Sequence, residues 1–502
     1  MLSLWMWMAC AGQEAAEKTE GNETKAEQAQ SLNSSGSDSS GSNSSGSNSS
    51  GSASSGSAGV ASQNANSAQK QPGMTGPNGK GIGPNTNMGP KGPPPNMKGG
   101  QVANGSGGAF QDPSGFPPFH DWKAPEGPAI EQFGGWSKPL QLTQKPTGGY
   151  RPQIAVSNDD LYHVVYYDRT DEGDIIRHRM SRNGTKWSPA QSLGHDSERN
   201  WGPDIIVRPD ESAVVVYDHA MPDFRSRGYV TTFDPMGGDW SEPTPLTPDD
   251  GGEIGSGHVA NATGQDLAYI FIGKPLGEKY RFQAKWRWFK DGEWSEVQSF
   301  SDGSADAWHT NVERRPDGSV VAGFDIGTGG AATTLYFVEG KEGTFGELQN
   351  ITQNGEPGER PHFAFAENVD YITWFHKESG QPKHIYVRSH QVDSNKWGVV
   401  EEPSKGYGGF HFDPEIDINK DGVLCLVWGW DAGQDAEMVY SLNRGNGWSA
   451  PKKIADVNWG KPGLASLSSD SKGNFHVVWN QGVRGYNEVY YSSLAADSLE
   501  AP

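Results

Sequence analysis

Ser441-Leu442-Asn443-Arg444-Gly445-Asn446-Gly447-Trp448-Ser449-Ala450-Pro451 is the stretch from which the rest of the chain can be read. Its tryptophan belongs to a series. An aromatic residue followed by Ser or Gly recurs at Trp136, Trp187, Trp240, Trp294, Phe345, Trp397 and Trp448, with gaps of 51, 53, 54, 51, 52 and 51. A fixed period of this length marks one supersecondary unit used again and again.

Each period carries three strand-like runs ahead of its marker. The first begins near a Pro or His, as in Arg151-Pro152-Gln153-Ile154, Gly202-Pro203-Asp204-Ile205, Arg360-Pro361-His362-Phe363 and Asp413-Pro414-Glu415-Ile416. The second is β-branched and aromatic, as in His163–Tyr167, Val214–Tyr217, Tyr371–Phe375 and His476–Trp479. The third alternates, as in Ile385–Ser389 and Val489–Ser493. Pro316-Asp317-Gly318 and Lys472-Gly473-Asn474 supply turns between them. Four short antiparallel strands in about fifty residues make one propeller blade. The last repeat stops after its third strand, near Leu494, while Trp136–Leu142 reads as a fourth strand with no blade ahead of it. Pairing the two removes both open edges. The expected fold is therefore all-β: a seven-bladed β-propeller of four-stranded blades over residues 122–502, closed by an N-terminal strand.

Residues 11–121 read differently. From Ser31 to Gly108 nearly every residue is Ser, Gly, Asn, Pro, Lys or Gln, which cannot bury enough apolar surface to offset chain entropy. This is the signature of a disordered low-complexity linker, and a coil of about 110 residues spans about 60 Å. Ahead of it, residues 1–10 run Leu2-Ser3-Leu4-Trp5-Met6-Trp7-Met8-Ala9-Cys10 after Met1. That segment resembles the signal and lipobox of bacterial lipoproteins. The resemblance implies acylation of Cys10 and display on the bacterial cell envelope, at the outer membrane, the membrane being reached only through the lipid. The formal charge of −21 and the lack of a basic stripe argue against nucleic acid as a partner. The two cysteines, Cys10 and Cys425, cannot make a disulfide framework. Cys425, inside Val423–Trp428, reads as a buried free thiol.

The opening stretch carries a second signature. Ser441-x-Asn443-x-Gly445-x-x-Trp448 fits the Asp-box pattern with Asn for Asp, and Ser181-Arg182-Asn183-Gly184 to Trp187 and Lys290-Asp291-Gly292-Glu293-Trp294 are shortened forms. The side chain of Asn or Asp caps a tight turn and Gly supplies positive φ. On these residues the chain, from 136 to 494, resembles the sialidase-like, Asp-box (BNR-type) β-propeller superfamily. The resemblance implies a fold, because the Asp-box lies on the face away from the usual site.

In a propeller, function sits where first strands begin and second strands end. First strands here begin with Tyr150, Arg151, Trp201, Asp204, His258, Trp308, His309, Arg360, His362, His411, Asp413 and Lys461. Second strands end with Asp168, Arg169, Asp218, His219, Asp325, His376, Lys377, Trp430, Asp431, Asn480 and Arg484. Unlike side chains on like scaffolding point to one composite central site. The resemblance implies a sialidase clamp in which Arg151, Arg360 and Arg484 grip a carboxylate and Asp168 or Asp204 acts as acid. The sequence departs from that pattern in its blade number and in offering no evident Tyr–Glu pair. A polysaccharide lyase would instead use His219, His258, His309 or His376 as base beside Arg151 or Arg360. A binding module would use Tyr150, Trp201, Trp308 and Trp430 as aromatic platforms among His309, His376 and Asp413. The reading with the fewest requirements is a surface-displayed monomer that binds a carbohydrate or a partner protein, with a glycan-active hydrolase or lyase as the alternative. No cofactor or metal is expected: Asp417-Ile418-Asn419-Lys420-Asp421-Gly422 imitates a calcium loop, but Trp428 stands where its last acid would be.

Overall fold

The computed structural model describes residues 132–499 apart from 134, 144–147, 171–172, 195–198, 222–224, 249–251, 275–280, 328–332, 353–356, 378–382, 434, 455–456, 458–459 and 484–485. Cys10, the linker 11–121 and Arg484 lie outside the described residues.

The described residues fold as antiparallel β-sheets, with 3-10 turns only at Val392–Ser394 and Ala496–Leu499. The first strands of the repeats are Gly148–Val156, Arg199–Val207, Glu253–Asn261, Asp306–Arg314, Glu359–Phe365, Phe410–Ile418 and Lys461–Ser469. Each pairs antiparallel with the strand after it, which pairs with a third, and short outer strands follow. Successive first strands lie side by side, and Lys461–Ser469 also lies beside Gly148–Val156, so these strands run round a closed circuit. This is a propeller-like arrangement.

The second strands carry the core. Leu424–Asp431 is buried at every position, and Ala213–Ala220 at all but its last. Sheets cover both faces of these strands, which is why their sequences lose alternation and become runs of Val, Ile and aromatics. Cys425 sits here, fully buried and free. Packing between neighbouring sheets unites side chains from distant repeats: Trp136, Val427, Tyr440 and Trp479 share one cluster. Burying one such large side chain stabilises by about 1.5–3 kcal/mol.

The Trp136–Leu142 segment lies along the strand Tyr486–Leu494. Trp136 is opposite Leu494, Leu140 opposite Tyr491, and the Leu142 N–H donates to the Val489 carbonyl at 2.8 Å.

The turns at one end are built as the sequence predicts. Asn183 Oδ1 accepts from the N–H groups of Thr185 and Lys186 at 3.0 Å each, and Trp187 Nε1 donates to the Gly184 carbonyl at 3.0 Å. Asn443 Oδ1 accepts from Gly445 N at 2.8 Å and Gly447 N at 3.3 Å. The calcium-like segment is a hairpin turn of the same kind, with Asn419 Oδ1 accepting from Asp421 N and Val423 N. Neighbouring hairpins interlock: Asp160 accepts from Ser471, and Asn419 Nδ2 donates to the Gly473 carbonyl.

Candidate functional site

Every first strand loses register with its partner once, between Tyr150 and Gln153, Trp201 and Asp204, Gly255 and His258, Trp308 and Asn311, Glu359 and His362, Phe412 and Glu415, and Pro462 and Ala465. One extra residue on the first strand makes each a β-bulge, a device that re-aims side chains. At six of them the first inserted residue has positive φ: Arg151 (48°), Gly202 (58°), Ser256 (52°), His309 (40°), Arg360 (57°) and Asp413 (50°). Five of these are not glycine, and such conformations cost about 1–3 kcal/mol each. Arg151, Gly202, Arg360 and Asp413 each precede a proline, whose missing N–H suits a position that a bulge leaves unpaired. The ring of bulges is thus a strained, repeated backbone carrying unlike side chains.

Polar groups on the second strands hold this backbone. Asn480 Oδ1 accepts from the Arg151 N–H at 3.3 Å. Asp325 Oδ1 accepts from the Arg360 N–H at 3.3 Å and bonds His309 Nδ1 at 2.9 Å. With Nδ1 engaged, the His309 ring is oriented by a fully buried carboxylate and turns Nε2 away from it. Arg360 Nη1 is paired with Asp413 Oδ1 at 2.8 Å, joining two neighbouring bulges.

Two residues past the bulges lies a polar belt formed by Gln153, Asp204, His258, Asn311, His362 and Glu415, with Ala465 at the seventh position. His258 Nδ1 is 3.5 Å from Asp204 Oδ2, Asn311 Nδ2 is 2.9 Å from His362 Nδ1, and His362 Nδ1 is 3.1 Å from Glu415 Oε2. Two residues further along, Glu313 and Asp417 add carboxylates. Burial, then the Glu415 and Asp417 charges, push the Glu313 carboxyl well up. Burial raises Asp417 to about 6.

Asp218 stands apart. It is fully buried, and neither carboxylate oxygen has a hydrogen-bond partner. Burial pushes it up to about 7, against the opposing charge of Arg151. The Ser256 amide also lowers it, acting from outside the geometry of a full hydrogen bond. The buried Tyr269 hydroxyl is likewise without a partner, and after burial the Asp218 charge is the main influence raising it.

The predicted residues divide by this geometry. Arg151, His309, Arg360 and Asp413 are bulge residues, and Asp204 and His258 belong to the belt. Tyr150, Trp201 and Trp308 each stand one position ahead of a bulge residue. Trp201 and Trp308 are half-buried, whereas Tyr150 is buried, stacked on Tyr167 at 5.3 Å with the Arg169 guanidinium 4.7 Å above it. Four expectations need correction. Trp430 is buried, donates from Nε1 to the Gly408 carbonyl and packs on Tyr407, so it offers no open platform. His219 is buried with Nδ1 bonded to Asn200 Oδ1 at 2.9 Å, and His376 is also buried, so neither is a loop base. Asp168 is tied to Arg177 at 3.1 Å within its own sheet, burial raising it to about 6. Arg360 is held by Asp413, so the arginine clamp is not assembled among the described residues.

Ser256, Asn311, Glu415, Glu313 and Tyr269 were not singled out as site residues by the sequence, and Asp218, Asp325 and Asn480 were read there only as strand ends. The X-Pro step in four first strands was the available signal, because it marks where the bulge falls. Among the described residues, Glu339, Asp370 and His390 cluster at metal-ligand spacing, but Arg315 Nη2 contacts Glu339 Oε1 at 2.6 Å and Asp370 Oδ2 at 2.5 Å and supplies the positive charge there.

No family model and no curated protein matches the sequence. Solved structures resemble it at low identity. A protein of unknown function from Dyadobacter fermentans is 13% identical, with a TM-score of 0.45 over 62% of this chain and 99% of that one. A Hadza microbial sialidase is 13% identical, with a TM-score of 0.40 over 67% and 78%. An α-L-arabinanase from Penicillium chrysogenum is 11% identical, with a TM-score of 0.41 over 58% and 92%. Likeness at this level carries no weight for chemistry, which rests on the side chains above. The solved structures that this chain resembles have sialidase-like β-propeller folds.

Proposed function

We propose that the repeats form a seven-bladed propeller, closed by Trp136–Leu142, whose bulge-bearing face binds a carbohydrate. The observation that carries this reading is the ring of bulges. An identical backbone device, strained in five repeats by a non-glycine residue, places Arg, Ser, His, Arg and Asp at matching positions of the first strands. Such planar charged and hydroxyl groups, with half-buried Trp201 and Trp308 beside them, match the alternating hydroxyl and C–H faces of a sugar. The test is a glycan array probed with the full-length protein. Specific binding that Trp308→Ala and His309→Ala weaken supports the reading; an array without a bound saccharide sinks it.

A hydrolase is the second reading, favoured by one observation: Asp218 is a buried carboxyl held near neutrality, as a proton donor to a leaving group must be. Mass spectrometry of a bound glycan after incubation decides it, since cleavage abolished by Asp218→Asn supports the enzyme and an intact glycan removes it. We also propose that Cys10 is acylated and that residues 11–121 tether the domain to the cell envelope. Mass spectrometry of the Cys10 peptide from expressing bacteria checks this, an unmodified thiol being the contrary result.

A further inference from the structure

We propose that Phe410, with Asp431 and Lys461, forms an outer subsite on which a remote sugar unit stacks, so that the ligand is an oligosaccharide. The inference rests on the carbohydrate-binding reading and adds the length of the ligand.

Phe410 opens the first strand of its repeat, three residues ahead of the Asp413 bulge. At about 3.3 Å per residue that separation is about 10 Å, beyond the span of one sugar ring seated at the bulge. Matching positions in the other repeats hold Gly148, Arg199, Glu253, Asp306, Pro357 and Gly460, so this repeat alone places an aromatic ring there. Phe410 is the one exposed aromatic side chain among the described residues, at 40%. No other aromatic ring among them stacks on it.

The backbone beneath the ring is held before any ligand arrives. Trp430 Nε1 donates to the Gly408 carbonyl at 2.6 Å, and His411 Nε2 donates to the Tyr407 carbonyl at 2.6 Å. His411 Nδ1 accepts from Trp428 Nε1 at 2.8 Å. That set requires a neutral imidazole with its proton on Nε2, and burial, pulling His411 down to about 4, keeps it neutral. Gly409 turns left-handed (φ 103°) where a Cβ would lie 2.6 Å from Trp430 Nε1. An aromatic ring carried on a fixed backbone loses little freedom on binding.

Polar groups stand beside it. Asp431 is directly opposite Phe410 in the ladder, so their side chains share one face. The Asp431 carboxylate is paired with Nζ of Lys461, which opens the next first strand and is 62% exposed. A ring for the C–H face and an ammonium–carboxylate pair for the hydroxyls suit one sugar unit.

The test is a glycan array, sorted by saccharide length and titrated with the full-length protein and its variants. Phe410→Ala should weaken binding of trisaccharides and longer glycans about tenfold and leave shorter ones unchanged, while Phe410→Trp keeps the preference for length. Lys461→Met should act in the same direction and decides the matter if circular dichroism shows Phe410→Ala to be unfolded. Equal binding by wild type and the folded variants at every length overturns the subsite and leaves the carbohydrate reading standing. Equal losses for short and long glycans overturn the assignment of length. An array with no bound saccharide overturns the subsite together with the reading beneath it.

Discussion

The two ends of the repeats obey opposite rules. At the turn end, several repeats solve the same local problem alike: an Asp or Asn caps backbone N–H groups, a glycine or other positive-φ residue turns the chain, and in some a hydroxyl completes the cap. Asp210 accepts from both the Ser212 N–H and its hydroxyl, and Asp317 does the same with Ser319. At the bulge end the backbone is equally regular, yet Arg151, Gly202, Ser256, His309, Arg360 and Asp413 occupy matching places. Regular backbone with irregular side chains is what a single composite ligand requires, and seven equivalent pockets would not.

Charge follows the same division. Turn carboxylates are stabilised as anions: the Ser212 hydroxyl holds Asp210 below its usual value. Near the bulges burial does the reverse, lifting Asp218 to about 7.

This contrast can be broken in graded steps. Removing the contact of Trp136 beside the strand Tyr486–Leu494 should have the largest effect: Trp136→Ala empties a fully buried indole site and should cost about 3–5 kcal/mol in denaturant unfolding. A variant with wild-type stability would sink the closing role.

Next comes pH. A carboxyl whose folded pKa is raised binds more protons when folded, so its stabilising contribution is complete below the unfolded value near 4 and lost as pH rises through its folded value. Melting followed from pH 4 to 8 should therefore show a decline through about 7 that Asp218→Asn makes smaller. The depressed turn carboxylates act oppositely, and their contribution disappears as pH falls below about 4. A pH profile identical in Asp218→Asn and wild type would contradict the burial argument.

Asp325→Ala releases the acceptor of the Arg360 N–H and the partner of His309, and should cost about 1–3 kcal/mol together with ligand affinity. At the turn end, Asn183→Ala should cost about 1 kcal/mol and leave affinity unchanged, because its Oδ1 caps N–H groups of its own turn. Equal effects of these two variants on affinity would erase the distinction between the ends. Ser256→Gly should give the smallest change, a stabilisation of about 1 kcal/mol as the left-handed residue loses its Cβ. A fall in melting temperature would show that Ser256 has a role its backbone does not reveal.

Much of the scaffold was legible because its signals are local. The recurring aromatic-Ser/Gly pair, the capped turn at Asn183 and Asn443 and the β-branched second strands each encode a short segment by themselves. The orphan segment Trp136–Leu142 was legible for a related reason, since a strand without a blade needs a blade without a strand. The site was legible only as a collection of strand ends. Sequence placed Arg151, His309, Arg360 and Asp413 at strand starts, where the structure has bulges, but gave Trp430 and His219 the same standing, because burial depends on neighbours from other repeats.

What the sequence determined by itself was the repeat, its turns and the end on which unlike side chains gather, all set by bonding within about fifty residues. Only the tertiary structure decided which of those side chains matter. Whether Arg360 is paired by Asp413 and whether Asp218 is left without a donor depend on strands from different repeats meeting at one place. Those meetings arise from packing neighbouring sheets together, and no periodicity within a single repeat records them.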